Sequence, residues 1–215
     1  MDYELNDQDR ADLVTNFLKK YGPWIVLIVV LIGIGFGVNS YLNNRKATEN
    51  QNASIAYQAM LMAAQHGATT QQITDSAHNI IQNYSGTVYA SFANLTLASV
   101  AVQETNLTKA EGILSDTLKQ NKDTSLTPII QMRLARVLIA DHKYADAINL
   151  LTKPPKGFEA PFALLTGDAE LAQNNTAAAK ASYLAAETAN SNAAQSDPLI
   201  AQLLAERLNS LGGNS

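Results

Sequence analysis

The longest apolar stretch of the chain lies near its N-terminus. Residues 24–38, written WIVLIVVLIGIGFGV, contain no charged and no strongly polar side chain. The uncharged window is longer still, because no charged residue occurs between Lys20 and Arg45. At a rise of 1.5 Å per residue, a helix over residues 21–42 would span about 33 Å, which matches the hydrocarbon thickness of a bilayer. The pattern therefore predicts a single transmembrane helix at residues 21–42.

A cleaved signal peptide is the main alternative for this stretch, since it also places an apolar run behind basic residues. However, 23 residues precede the run, and five of them are acidic. No small-x-small cleavage site follows Val38. These features favour a retained membrane anchor.

Gly33 and Gly37 form a GxxxG pair inside the apolar stretch. Such a pair lets two membrane helices approach closely. Gly33 and Gly37 are therefore a candidate site for contact between two membrane helices. A structural or assembly scaffold that self-associates there is one alternative for the function.

The distribution of basic residues predicts the topology. Under the positive-inside rule, the flank with more Lys and Arg faces the cytoplasm. Three basic residues precede the apolar stretch and two follow it closely, namely Arg10, Lys19 and Lys20 before it and Arg45 and Lys46 after it. The bias predicts a single-pass membrane protein with a cytoplasmic tail at residues 1–20 and an exported domain at residues 43–215, which in a Gram-negative bacterium would mean a span in the inner membrane and a domain in the periplasm. Because the bias is only three against two, a cytosol-facing regulator is a further alternative.

Beyond residue 45, apolar positions recur at helical spacing. One helix is expected to end near Gly67, and a second is expected at about 70–84. Turn residues then divide the chain at regular intervals, which is typical of stacked helix pairs. The further helices are predicted at about 87–104, 108–121, 128–141, 143–153, 159–173, 176–190 and 198–211. The fold class is therefore all-α.

Three of the predicted helix pairs can be aligned on small residues. Ala98, Ala135 and Gly167 hold the same place in each first helix, at spacings of 37 and 32 residues. A small residue follows twelve positions later in each second helix, and a larger one four positions after that; these are Ala110, Ala147 and Ala179, then Leu114, Leu151 and Tyr183. The spacings are close to the tetratricopeptide period of 34. We predict a tetratricopeptide-like helical-hairpin solenoid, with Ala-rich hairpins lacking repeat symmetry as the alternative.

Several helix starts carry capping signals. Thr108 and Glu111 fit a capping box. Thr127 and Asp197 each precede a proline that would occupy the first helical position. We expect all three polar residues to cap their helices.

Charge and chemistry restrict the function. Residues 47–215 carry 10 Lys or Arg and 14 Asp or Glu, which disfavours nucleic acid as a partner. The chain has no cysteine, no GxSxG elbow and no GxxxxGK loop, and its three histidines lack partners at metal-ligand spacing. We expect no enzymatic activity, no cofactor, no metal and no small-molecule substrate.

Helical repeats present a concave surface lined by successive first helices. Mixed apolar and polar walls there would suit a bound peptide, although helical spacing alone does not separate groove residues from core residues. The candidate protein-binding groove consists of Phe92, Leu95, Ser99, Met132, Arg136, Ile139, Leu164, Asp168 and Leu171.

The whole pattern resembles one family, the ancillary subunit of the SecYEG translocon. The resemblance covers nearly the full chain, and its most telling segments are Ser54–Gln58, Tyr89–Ala93, Arg133–Val137 and Glu206–Leu211. It implies an acidic cytoplasmic tail, one membrane helix and a periplasmic tetratricopeptide-like domain. It further implies association with the translocon and with a membrane-anchored periplasmic chaperone, and a regulatory role for the tail. A non-enzymatic adaptor linking exported proteins to chaperones is the function that this resemblance implies.

Overall fold

The computed structural model describes residues 41–212. Within that range the chain is helical, with no strand. Residues 41–51 belong to one compact unit and residues 52–212 to a second, which contains the core clusters and the two clefts described below. The helices are α1 at residues 41–65, α2 Thr70–Asn83, α3 Val88–Gln103, α4 Leu107–Gln120, α5 Thr127–Ala140, α6 Tyr144–Leu151, α7 Glu159–Ala172, α8 Thr176–Ser191 and α9 Pro198–Gly212.

The predicted all-α class is confirmed, and each helix expected after residue 67 is present within a few residues of its expected bounds. The acidic tail, residues 21–40 of the expected membrane helix, Gly33 and Gly37 lie outside the described residues. Among the helices of residues 41–212, none combines the length and the apolar character needed to cross a bilayer.

The repeat is visible in the backbone of three equivalent turns. Thr105, His142 and Asn174 have φ values of 57°, 60° and 63°, and they are the positive-φ non-glycine residues of the described chain. Each lies just beyond the first helix of a pair. The next amide reaches back five residues in each turn, as in a Schellman motif; these bonds are Asn106 to Ala101, Lys143 to Leu138 and Asn175 to Glu170. The turns recur at the 37- and 32-residue spacings of the small residues, so α3–α4, α5–α6 and α7–α8 are three copies of one hairpin.

The six small residues aligned between the three hairpins lie in the interior of the domain. All six are buried, and so are the larger residues Leu114, Leu151 and Tyr183. Leu114 and Leu151 join residues of all three hairpins in the central core cluster, which is built around Ile130, Leu134 and Phe162. Tyr183 packs with Leu204 of α9 in a separate C-terminal core cluster.

Helix α1 packs on the first hairpin through aromatic rings. The ring centroid of Tyr57 lies 5.9 Å from that of Tyr89 and 5.6 Å from that of Phe92. Ala53 and Met60 are buried on the same helix. Two of the segments that carry the family resemblance therefore meet here.

Two of the three capping predictions are wrong. Asn106, not Thr108, caps α4, because the left-handed turn at Thr105 makes Asn106 the first residue able to bond the amide of Lys109, at 3.0 Å. Leu126 is the N-cap residue of α5 and makes no side-chain capping bond, so Thr127 is the first residue inside the helix rather than its cap. Asp197 does cap α9, since its carboxylate accepts the amides of the second and third helical residues, Leu199 and Ile200.

Candidate protein-binding surface

A cleft of about 300 Å³ lies between α3 and α5. Each of these helices contributes four residues at spacings i, i+3, i+4 and i+7, which lie on one helical face. Two leucines of α4 complete the lining. The residues of this α3–α5 cleft are Leu95, Ala98, Ser99 and Val102 from α3, Leu107 and Leu114 from α4, and Arg133, Arg136, Val137 and Ala140 from α5.

The cleft has an apolar floor and a mixed rim. Leu95, Leu114 and Val137 are buried, with exposed fractions of 5%, 1% and 5%. Val102 is 41% exposed, and both arginines are exposed as well. An exposed valine above a buried aliphatic floor leaves apolar surface in contact with water, which a bound side chain would cover.

The rim of the cleft is cationic. Neither Arg133 nor Arg136 makes an ion pair or a side-chain hydrogen bond with any residue of the described range 41–212. None of the residues that line the cleft is acidic. By contrast, the guanidinium Nε of Arg207 lies 2.9 Å from a carboxylate oxygen of Asp168. As far as residues 41–212 are concerned, the guanidinium groups of both cleft arginines are therefore available to a partner.

The structure brings three of the nine candidate groove residues together. Leu95, Ser99 and Arg136 line the α3–α5 cleft. Five of the other six pack against one of the two core clusters instead of lining the cleft. Phe92, Met132 and Ile139 are partly buried against the central core cluster, whereas Leu164 and Leu171 pack in the C-terminal core cluster.

Asp168 is the ninth candidate, and it has internal partners. Its Oδ1 accepts a 2.9 Å hydrogen bond from the hydroxyl of Tyr183 and a second 2.9 Å bond from Nε of Arg207. Burial raises the pKa of the Tyr183 hydroxyl, and the carboxylate of Asp168 raises it further. The same carboxylate raises the pKa of Arg207. Asp168 thus joins α7, α8 and α9.

A second cleft, of about 710 Å³, lies between the start of α7 and the segment that follows α8. Asn190 lines this cleft but is buried, and its side-chain amide forms hydrogen bonds through both its nitrogen and its oxygen. Its amide nitrogen donates to the carbonyl of Asp197 at 3.0 Å, and its carbonyl oxygen accepts the amide of Asp197 at 3.0 Å. These bonds shape the segment after α8, and the walls of the cleft come largely from connecting segments.

Sequence reasoning missed Arg133 and Val102 as lining residues. Arg133 precedes Arg136 by three residues and therefore shares its helical face. Val102 follows Ser99 by the same interval on α3. That spacing was the signal that could have identified both. In residues 41–212, no group of three or more His, Cys, Asp or Glu side chains is arranged to hold a metal ion.

A family model and several curated relatives match most of the chain. The family model described as "Tetratricopeptide repeat-like domain" matches residues 15–213. A relative from Neisseria gonorrhoeae is 28% identical over 180 residues, which is 83% of this chain and 86% of the relative. Relatives from Haemophilus influenzae and Escherichia coli K12 are 28% and 27% identical, covering 91% and 96% of this chain and 95% and 97% of the relatives. All three are named "Ancillary SecYEG translocon subunit", so the resemblance inferred from the sequence is confirmed.

Proposed function

The chain belongs to the tetratricopeptide repeat-like domain family, and we propose that it is a non-enzymatic adaptor of the SecYEG translocon. The observation that carries the proposal is the match to relatives named as ancillary subunits of that translocon over 83% to 96% of the chain. Helical repeats of this kind present surfaces for other proteins rather than catalytic centres. Family membership therefore supports the prediction that the chain is not an enzyme.

We assign the protein-binding role of this adaptor to the α3–α5 cleft. Its support is the combination of exposed apolar surface at Val102 with the guanidinium groups of Arg133 and Arg136, which make no ion pair within residues 41–212. A site-specific photo-crosslinking residue at Ser99, which is exposed in the cleft, tests the assignment in native membranes. We expect crosslinks to translocon or chaperone subunits. Recovering neither from Ser99 would overturn it, and the matched control is the same crosslinker at Lys180, which is exposed on α8.

The finer proposal concerns partners on both sides of the membrane. We propose that the domain links exported proteins to a membrane-anchored periplasmic chaperone, and that residues 1–20 have a regulatory role in the cytoplasm. The family resemblance and the five acidic residues of the tail support these points. Deleting residues 2–12 should change translocon function while leaving chaperone crosslinks from Ser99 intact. Unchanged function after the deletion would reject the regulatory role.

The proposed location is the bacterial inner membrane, with one span at residues 21–42 and the domain of residues 43–215 in the periplasm. Because the sequence contains no cysteine, single cysteines report topology without a background signal. A membrane-impermeant maleimide should label Lys180→Cys in cells with a permeable outer membrane. It should label Asp7→Cys only after the inner membrane is lysed. The reverse pattern would favour a cytosol-facing regulator instead.

A membrane-anchored scaffold that self-associates through Gly33 and Gly37 is the second candidate function. The GxxxG spacing of the two glycines supports it. If the scaffold forms in this way, replacing both glycines with leucine should abolish self-association in membranes. An unchanged oligomer would reject this candidate and leave the adaptor proposal standing.

A further inference from the structure

We propose that the α3–α5 cleft binds an acidic segment of a partner polypeptide, in which a carboxylate side chain lies next to an aliphatic one. The inference rests on the proposed adaptor function and deepens it, because it states the chemistry of the segment that is recognised. The aliphatic side chain enters the cleft, and the carboxylate bonds the arginines on its rim.

The apolar floor selects for an aliphatic side chain. Leu95, Leu114 and Val137 form a buried aliphatic base, and Val102 extends it to the surface. The volume of about 300 Å³ is at the lower limit for a ligand site, which fits one or two side chains rather than a whole folded element. A small inorganic anion would leave this apolar surface uncovered.

The two arginines are placed to act on one carboxylate. They are three residues apart on α5, so their Cα atoms are separated by about 4.5 Å along the helix axis. A guanidinium presents parallel N–H donors that match the two oxygens of a carboxylate. Since neither Arg133 nor Arg136 has an ion pair within the described residues, binding a carboxylate there breaks no internal bond.

Arg133 and Arg136 form a positively charged pair on a domain whose net charge is negative. Residues 47–215 carry four more acidic than basic residues, yet no acidic residue lines the cleft. Of the three arginines in residues 52–212, Arg207 is held by Asp168 and the other two face the cleft. Nucleic acid does not fit this arrangement, because phosphate backbones are bound by extended basic surfaces rather than by two cations in an acidic domain.

The test measures binding of labelled peptides to the full chain in lipid nanodiscs by fluorescence polarisation. The probe is the end-blocked hexapeptide Gly-Ser-Leu-Asp-Leu-Ser, and its control replaces the acidic residue with the corresponding amide. We expect the acidic peptide to bind at least about tenfold more tightly, since a charge-assisted hydrogen bond supplies that difference. Its affinity should also fall as salt concentration rises.

Variants assign the effect to the cleft. Combining Arg133→Gln with Arg136→Gln should remove the preference for the acidic peptide. Combining Arg133→Lys with Arg136→Lys should retain part of it, because the charge remains but the paired donors do not. Val102→Asn should weaken both peptides equally, whereas the surface control Lys180→Gln should change neither. All substituted residues are exposed, and circular dichroism verifies that each variant folds.

Three results would overturn the inference: equal binding of the two peptides, absence of binding, or an effect of Lys180→Gln as large as that of the arginine variant. A further control is the amide peptide with its C-terminus left unblocked. If this peptide bound more tightly than the end-blocked acidic peptide, the recognised group would be a chain end, and the inference would be overturned. Co-purification of SecY with the full chain is measured in parallel. If the chain co-purifies with SecY but does not bind the acidic peptide, only the cleft inference is rejected. If the chain binds the peptide but does not co-purify with SecY, only the adaptor proposal is rejected.

Discussion

The backbone of Gly167 on α7 lies directly against the ring of Tyr183 on α8. A Cβ atom placed on Gly167 would be 2.5 Å from Cε1 of Tyr183 and 2.6 Å from its Cδ1. The tyrosine side chain is fully buried and its hydroxyl is bonded to Asp168, so a shift of the ring would disturb both its packing and that bond. In the third hairpin, an aromatic ring on α8 therefore requires the absence of a side chain on α7.

We expect Gly167→Ala to lower the free energy of unfolding by about 1–3 kcal/mol, because overpacking outweighs the better helix propensity of alanine. Urea unfolding of the full chain, followed by circular dichroism, measures the change. Gly112→Ala is the matched control, since Gly112 is also helical but a Cβ there meets nothing within 4 Å. It should raise stability by up to about 1 kcal/mol. Equal effects of the two substitutions would contradict the packing argument.

We expect Tyr183→Phe to reduce the loss of stability at alkaline pH. The folded state raises the pKa of Tyr183 above its ordinary value of 10.0, so folding favours the protonated hydroxyl. The stability that this preference contributes to the folded state is fully present below about pH 10 and is lost as the pH rises further. Phenylalanine has no such proton and also loses the bond to Asp168, which costs about 1 kcal/mol at neutral pH. Unfolding midpoints between about pH 8 and pH 11 check the prediction, and parallel curves for the two proteins would refute it.

We expect Thr105→Gly to raise the free energy of unfolding by about 1 kcal/mol, because a β-branched residue is strained at positive φ. Thr105 is exposed and has a φ of 57°, so glycine relieves strain without removing buried contacts. Asn174→Gly, at the equivalent turn of the third hairpin, is the matched control. Asparagine tolerates this conformation better than threonine, so the gain there should be smaller. A larger gain at Asn174 would refute the strain argument.

We expect Leu114→Ala to destabilise the domain by about 2–5 kcal/mol, because it leaves a cavity in the central core cluster. Leu114 is 1% exposed and forms part of the floor of the α3–α5 cleft. Leu199→Ala is the control, since Leu199 is 62% exposed on α9. Its effect should stay within about 0.5 kcal/mol. Chemical denaturation of both variants measures the difference, and similar losses would show that Leu114 is not a core residue in solution.

The sequence by itself determined the helices and the repeat of this protein. Both are local properties, because helical periodicity and the spacing of Ala98, Ala135 and Gly167 are recorded in consecutive residues. The capping residues were harder to predict. Asn106 rather than Thr108 caps α4 because it directly follows the left-handed turn at Thr105, and Leu126 rather than Thr127 is the N-cap residue of α5.

Only the tertiary structure decided which helix faces remain open. Asp168 looked like a groove residue, but its partner Arg207 is 39 residues away and α9 brings the two together. Arg136 and Arg133 line one cleft, because α3 and α5 leave a space that no other described helix fills. Exposure depends on what packs against a face, and that is a property of contacts between distant segments. Local periodicity therefore predicts the helices, whereas the site depends on how they assemble.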